Sequence, residues 1–165
     1  MLRIIAMAAF VMAATAAPTL ADDAQDCNNA TALLQTDPAR AVAACSKQGE
    51  QGDAHAAFML GAMYQFGEGV PQDYKAAAGL YRQAAEQGLA AAQLNLGALY
   101  QSGDGVPQDY VQAYMWYTVA MAAFPPGVDH DRADRNRGQV AGRMPPAEIS
   151  RAQALAAEWK PKAAE

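Results

Sequence analysis

Few side chains in this 165-residue chain could do chemistry: two cysteines, Cys27 and Cys45, two histidines, His55 and His130, and scattered carboxylates. An enzyme needs a nucleophile, a base and a charge stabiliser within reach of one another, and the two histidines fall in separate stretches of sequence. No GxSxG, HExxH or GxxxxGK[ST] pattern occurs. The glycine-rich strings GEGVP and GDGVP lack the lysine of a phosphate loop, and their acids, Glu68 and Asp104, are the sole support for an alternative role in cell-wall fragment binding or hydrolysis. His55, Met59 and Met63 would suit Cu(I), but residues 55 and 63 stand about 12 Å apart along a helix that rises about 1.5 Å per residue. Asp129, His130, Asp131 and Asp134 offer oxygen and nitrogen donors, yet acids at a helix start serve as well to stabilise its exposed amide end. The sequence therefore predicts no catalytic residue, no metal site and no cofactor.

The cysteines take their meaning from the N-terminus. Met1-Leu2-Arg3, an apolar stretch from Ile4 to Ala17, and Thr19 and Ala21 ahead of Asp22-Asp23 form a basic start, an apolar middle and a small-residue cleavage box. This pattern predicts a signal peptide over residues 1–21, cut after Ala21, and a periplasmic or secreted protein. The apolar run is shorter than the roughly 20 residues a spanning helix needs, so no membrane span is expected after cleavage. Cleavage removes one of the 12 basic residues and none of the 17 acidic ones, moving the formal charge from −5 to −6. Such a chain makes a poor nucleic-acid binder, because neutralising phosphates requires clustered Lys and Arg. Export takes both cysteines where disulfides persist, and with no CxxC spacing a structural disulfide is the expected pairing.

The elements that would position any site emerge on sliding the chain against itself. Gly52 to Gln87 matches Gly88 to Ala123 at an offset of 36, with 18 of 36 positions identical. A period of that length marks a stacked architecture in which each unit buries its apolar face against its neighbours. Each unit reads as two helices. The first runs from about Asp53 to Phe66, or Leu89 to Ser102, and stops at Gly67 or Gly103, where a left-handed cap wants no side chain. In GVPQD, proline fixes the turn and Asp73 or Asp109 offers an oxygen to cap the second helix. That helix keeps Tyr74, Ala77, Tyr81 and Ala84, or Tyr110, Ala113, Tyr117 and Ala120, on one face.

These strings resemble the Sel-one-like repeat (SLR) family, cousins of the tetratricopeptide repeats. The resemblance rests on Leu60, Gly61, Tyr64, Gly67, Gly69, Val70, Asp73, Ala77, Tyr81 and Ala84, and on Leu96, Gly97, Tyr100, Gly103, Gly105, Val106, Asp109, Ala113, Tyr117 and Ala120. The main departure is Leu80 against Trp116. The resemblance implies an all-α, right-handed solenoid of antiparallel helix hairpins used for protein interaction. About four hairpins are expected: a degenerate one over 22–51, repeats over 52–87 and 88–123, and a closing one over 124–160, followed by a tail at 161–165. In the first, Asp26 to Gln35 would pair with Ala39 to Gln51, entered through Asp37-Pro38, and a Cys27–Cys45 bond would staple the two. In the last, helices over Asp129–Gly142 and Ala147–Lys160 are expected, with Asp131 and Arg135 forming a surface pair.

Comparing the copies also suggests a binding face. Positions that differ are free of the common fold, and the differing pairs 55/91, 59/95, 63/99 and 66/102 share one face of the first helices. The resemblance implies that the first helices line the concave side of the solenoid, so His55, Met59, Met63, Phe66, Ala91, Asn95, Leu99 and Ser102 are the expected partner-binding residues there. A methionine-rich surface there would adapt to a protein or peptide.

Overall fold

A computed structural model of the chain describes residues 20–162. Within them the secondary structure is helical throughout, in nine segments: α1 (Leu20–Asn28), α2 (Ala30–Leu33), α3 (Pro38–Glu50), α4 (Ala54–Phe66), α5 (Tyr74–Glu86), α6 (Ala90–Ser102), α7 (Tyr110–Ala123), α8 (Val128–Ala141) and α9 (Pro146–Glu158). The expected signal peptide lies outside the described residues except for its last positions, 20 and 21, which fall in α1. Among the described residues no helix is long and apolar enough to cross a membrane.

The boundaries follow from the capping residues. Asp73 accepts hydrogen bonds from the backbone amides of Lys75 and Ala76, and Asp109 from those of Val111 and Gln112. Asp53 caps α4 through Ala56, and Asp37 caps α3 through Arg40 with Pro38 at the first helical position. Gly67 and Gly103 end the first helices in left-handed geometry, at φ 72° and 84°. The turn that follows closes the helix a second time: Gln72 donates from its amide to the Gln65 carbonyl, and Gln108 to that of Gln101, each at 2.8 Å. Two carbonyls that the helix leaves without partners are thereby satisfied by the same residue of the repeat.

Consecutive helices pack in series, α3 on α4, α4 on α5, α5 on α6, α6 on α7 and α7 on α8, which is the stacking expected of a solenoid. Within each unit a tyrosine of the second helix lies flat on a glycine of the first. A Cβ at Gly61 would sit 2.9 Å from the Tyr81 ring, and one at Gly97 2.8 Å from that of Tyr117, so bare backbone at those positions lets the helices close. Between units the turn glycines make the joint. A Cβ on Gly69 would meet Pro38 and Val42 of α3 at 3.1 Å, and one on Gly105 would meet the Tyr74 carbonyl oxygen of α5 at 2.1 Å. Each glycine corner thus docks on the start of the preceding unit's second helix.

Both ends depart from the expected hairpins. The N-terminal partner of α3 is a helix broken at Asn29 into α1 and α2, both packed on α3, and it begins at Leu20, ahead of the expected start. Cys27 and Cys45 are buried and bonded, joining α1 to α3. Ion pairs from Arg40 to Asp26, at 2.6 Å, and from Lys47 to Asp23 flank the bond. At the C-terminus, α8 takes the place of a further first helix, but α9 turns away from it and packs on α7. Trp159 meets Trp116 edge-on at 6.1 Å between centroids. The substitution of Leu80 by Trp116 between copies therefore provides the surface that receives α9. Beyond Trp159 the chain runs back to the first repeat, where Lys162 donates from its backbone amide to the Glu86 carbonyl at 2.7 Å. The Asp131–Arg135 pair does not form; the ion pairs of α8 are Asp129–Arg132 and Asp134–Arg137, and Asp131 faces His130 instead.

Candidate functional site

The first helices α4, α6 and α8 line one side of the stack, and a cavity of about 540 Å³ opens there, bordered by Gln65, Leu99, Gln101, Ser102, Tyr117, Asn136 and Arg143 among others. Its polar lining repeats with the fold. Tyr81 donates from its hydroxyl to Gln65 Oε1 at 2.6 Å, and Tyr117 to Gln101 Oε1, also at 2.6 Å. Both tyrosines are fully buried, against Gly61 and Gly97, and Tyr117 borders the cavity from beneath. Asn95 is a neighbouring amide of Tyr81, and Asn136 of Tyr117. Burial pushes both phenols up to about 12, against the smaller downward pull of those amides and, at Tyr117, of the Arg132 charge. Both are neutral donors at ordinary pH. Each repeat holds one glutamine–tyrosine hydrogen bond beneath the groove.

Of the eight residues expected on this face, the structure brings a part together. Leu99 and Ser102 border the cavity, Asn95 neighbours Tyr81, and Phe66 is 64% exposed. His55 is exposed, and Met59 and Ala91 are half-buried. Met63 requires correction: at 1% exposure it belongs to the core formed with Leu60, Cys27 and Cys45. Leu99, at 2%, is chiefly core as well, although its edge reaches the groove. The two differ between copies because methionine and leucine exchange at nearly constant volume, so sequence difference did not mark exposure. Ala57 and Gln93 show the same on another face, both fully buried. Burial of Met63 also separates it from His55, so the soft-metal set is not assembled. Among the described residues no group of three or more His, Cys, Asp or Glu side chains is placed to hold a metal ion.

Gln65, Gln101, Asn136 and Arg143 were not expected in the site. Gln65 and Gln101 are identical in the two copies, and identity was read as scaffold. A polar residue shared at an otherwise apolar stretch of both helices was the signal that they serve the fold and the groove at once.

The repeats identified by geometry are matched by the family model described as "Sel1 repeat", over residues 54–89 and 90–120. The Sel1 repeat protein of Oxalobacter formigenes has a solved structure that superposes with a TM-score of 0.57 at 30% identity, covering 64% of this chain and 82% of that one. The chain belongs to the Sel1 repeat family. A protective antigen of uropathogenic Escherichia coli displaying an SLR fold is also similar, with a TM-score of 0.74 and 30% identity over 84% of this chain. This chain spans only 30% of that antigen's length. No curated protein matches the sequence. Sel1 repeat proteins generally serve as protein-interaction scaffolds and are typically non-catalytic, and in this one the leucines, glycines and tyrosines of the repeat, Leu60 and Leu96, Gly61 and Gly97, Tyr81 and Tyr117, form the buried frame under the groove. Tyr64 and Tyr100 are half-buried at its edge. The turn acids Glu68 and Asp104 are exposed, and Asp104 borders the cavity.

Proposed function

We propose that this Sel1 repeat protein is an exported, non-catalytic scaffold that binds a protein or peptide partner in the groove along its first helices. The observation that carries the reading is the polar lining of the cavity, where Gln65, Gln101, Ser102 and Asn136 come together and the buried Tyr81 and Tyr117 hold the two glutamines in place. An extended chain presents a donor and an acceptor at each residue, and a periodic row of amides offers the matching groups. The buried disulfide and the N-terminal pattern support export, since such bonds persist in oxidising compartments.

The test is a photo-activated cross-linker placed at Ser102 in the protein expressed in its native envelope, followed by mass spectrometry. A protein partner recovered from Ser102, and not from a cross-linker at Lys75 on the exposed side of α5, supports the reading. Equal yields from both positions reject the groove, and retention or turnover of a wall fragment by the pure protein transfers the function to the cell wall.

A further inference from the structure

We propose that α9 and the tail after it form an exchangeable arm, through which two copies of this chain join, each seating its arm on α7 and α5 of the other. The seat lies on the second helices and shares none of the residues that border the groove. It is built from the seam between units. At the first seam the last carbonyls of α3 are met by the next second helix: Gln83 donates from its side chain to the Gly49 carbonyl at 2.7 Å, and Gln87 to that of Gly52 at 2.9 Å. One repeat later the same positions hold Val119 and Ala123, which have no side-chain donor. The carbonyl end of α5 is served from elsewhere, by the Gln93 side chain at Ala85, 3.1 Å away, and by the Lys162 backbone amide at Glu86, at 2.7 Å. Lys162 Nζ also pairs with the Glu86 carboxylate at 2.6 Å, where the negative end of a helix favours a cation. Between them Pro161 lies against Gly88, 3.4 Å from where a Cβ would stand, and Trp159 meets the edge of Trp116. The seam therefore has a defined chemistry: an aromatic contact and, three residues farther along the occupant, a carbonyl and a carboxylate for a lysine. The tail of a second copy carries that same sequence.

The arm is held lightly by its own copy. It packs on α7 far more than on α8, the helix from which it continues, and Ala152 is the one buried residue of α9. A cavity of about 450 Å³ stays open between α9 and α7, lined by Thr118, Val119, Ala122, Gln153, Ala156 and Trp159 among others. The Lys162 side chain is 72% exposed, and an ion pair so open to water is weak. The link to α8 runs from Gly142 to Pro145, and a hinge needs only a few such residues to absorb the change in φ and ψ. Every contact of the arm is made with residues that a second copy also presents. Two chains that trade arms therefore keep both sets of contacts and give up chiefly the freedom of separate movement.

The experiment joins intact chains by a disulfide that a seated arm can make. One preparation carries Glu86→Cys and another Lys162→Cys; the two are mixed at high protein concentration, oxidised, and read on non-reducing gels and by intact mass. The native cysteines are bonded and buried and do not compete, and the circular dichroism of both variants should match that of the native protein. Glu86→Cys also loosens its own tail, which opens its seat to the arm of the other copy. A species of two chains, one of each variant, is expected. Its yield should fall to background when Lys75→Cys, on the exposed side of α5, replaces Glu86→Cys, and again when Trp159→Ser is added to the Lys162→Cys chain. The second loss separates seating from chance contact, because an arm without its seat collides more freely and would raise the yield. Bonds that form only within a Glu86→Cys/Lys162→Cys chain, a mixed species no more abundant than with Lys75→Cys, or one that survives Trp159→Ser overturns the proposal.

Discussion

Gly61 and Gly97 hold the tyrosines that floor the groove, and their role is a matter of a few tenths of an ångström. A methyl group at Gly97 would lie 2.8 and 2.9 Å from two carbons of the Tyr117 ring, closer than carbon atoms approach without displacement. Gly97→Ala should destabilise the protein by about 2 kcal/mol, the usual cost of overpacking a core, and a lowered denaturant midpoint with unchanged slope would verify it. Tyr117→Phe leaves the ring in place and removes the hydroxyl that Gln101 accepts, so its cost should be near 1 kcal/mol. The tyrosines also set a pH limit. Burial raises both phenols from 10.0 to about 12, so above pH 10 the unfolded chain loses protons that the folded chain retains. Their contribution to stability is complete below pH 10 and is lost as pH rises to about 12. Denaturant midpoints should fall across that interval in the native protein and fall less steeply in the Tyr81→Phe/Tyr117→Phe variant; parallel slopes would contradict the assignment. These residues were half legible in the sequence. Tyr81 and Tyr117 announced themselves by spacing, but a buried ring whose hydroxyl bonds to a glutamine of the preceding helix has the same helical periodicity as one packed only on apolar groups.

The helices themselves were readable because their ends are written in residue types with one physical purpose. Asp73 and Asp109 cap where an oxygen is needed, and Gly67 and Gly103 stop where φ turns positive. Faces were harder, because α4 and α6 are enclosed by helices on more than one side and carry apolar residues around much of their circumference. Met63 was misplaced for that reason. The path of α9 was illegible for another: nothing in its own sequence distinguishes packing on α8 from packing on α7. The receiving surface did carry a mark, since Gly79, Arg82 and Gln83 of the first copy become Met115, Thr118 and Val119 in the second. Trp159→Ala should therefore cost about 2 kcal/mol through lost contact with Trp116 and release α9 ahead of α6 and α7, which hydrogen exchange of the α9 amides would record. The other terminal element depends on its covalent bond. Cys27 and Cys45 are 18 residues apart in sequence, and closing a loop of that size stabilises by about 3 kcal/mol in the chain-entropy model. A Cys27→Ser/Cys45→Ser variant should lose amide protection in α1 and α2 first, with α6 and α7 still protected.

At the level of the whole molecule, stability is carried chiefly by joints between neighbouring units, with the return of the tail to Glu86 as a contact that skips one. The joint between the repeats includes the Gly105 corner, whose φ of 69° and 2.1 Å virtual contact with the Tyr74 carbonyl oxygen leave no room for a side chain. Gly105→Ala must either strain the corner, at about 1–2 kcal/mol for the left-handed backbone alone, or move the second repeat off the start of α5. The two responses separate in equilibrium unfolding. Both tryptophans, Trp116 and Trp159, lie on the C-terminal side of the joint, so their fluorescence follows that half, whereas circular dichroism follows every helix. In the native protein the two signals should fall together, as the continuous series of packed helices and the return of Lys162 to Glu86 couple the halves. In Gly105→Ala they should part, with a tryptophan transition displaced from the circular dichroism midpoint. Coincident transitions at a lower midpoint would mean that the corner strains in place and that the stack melts as one block.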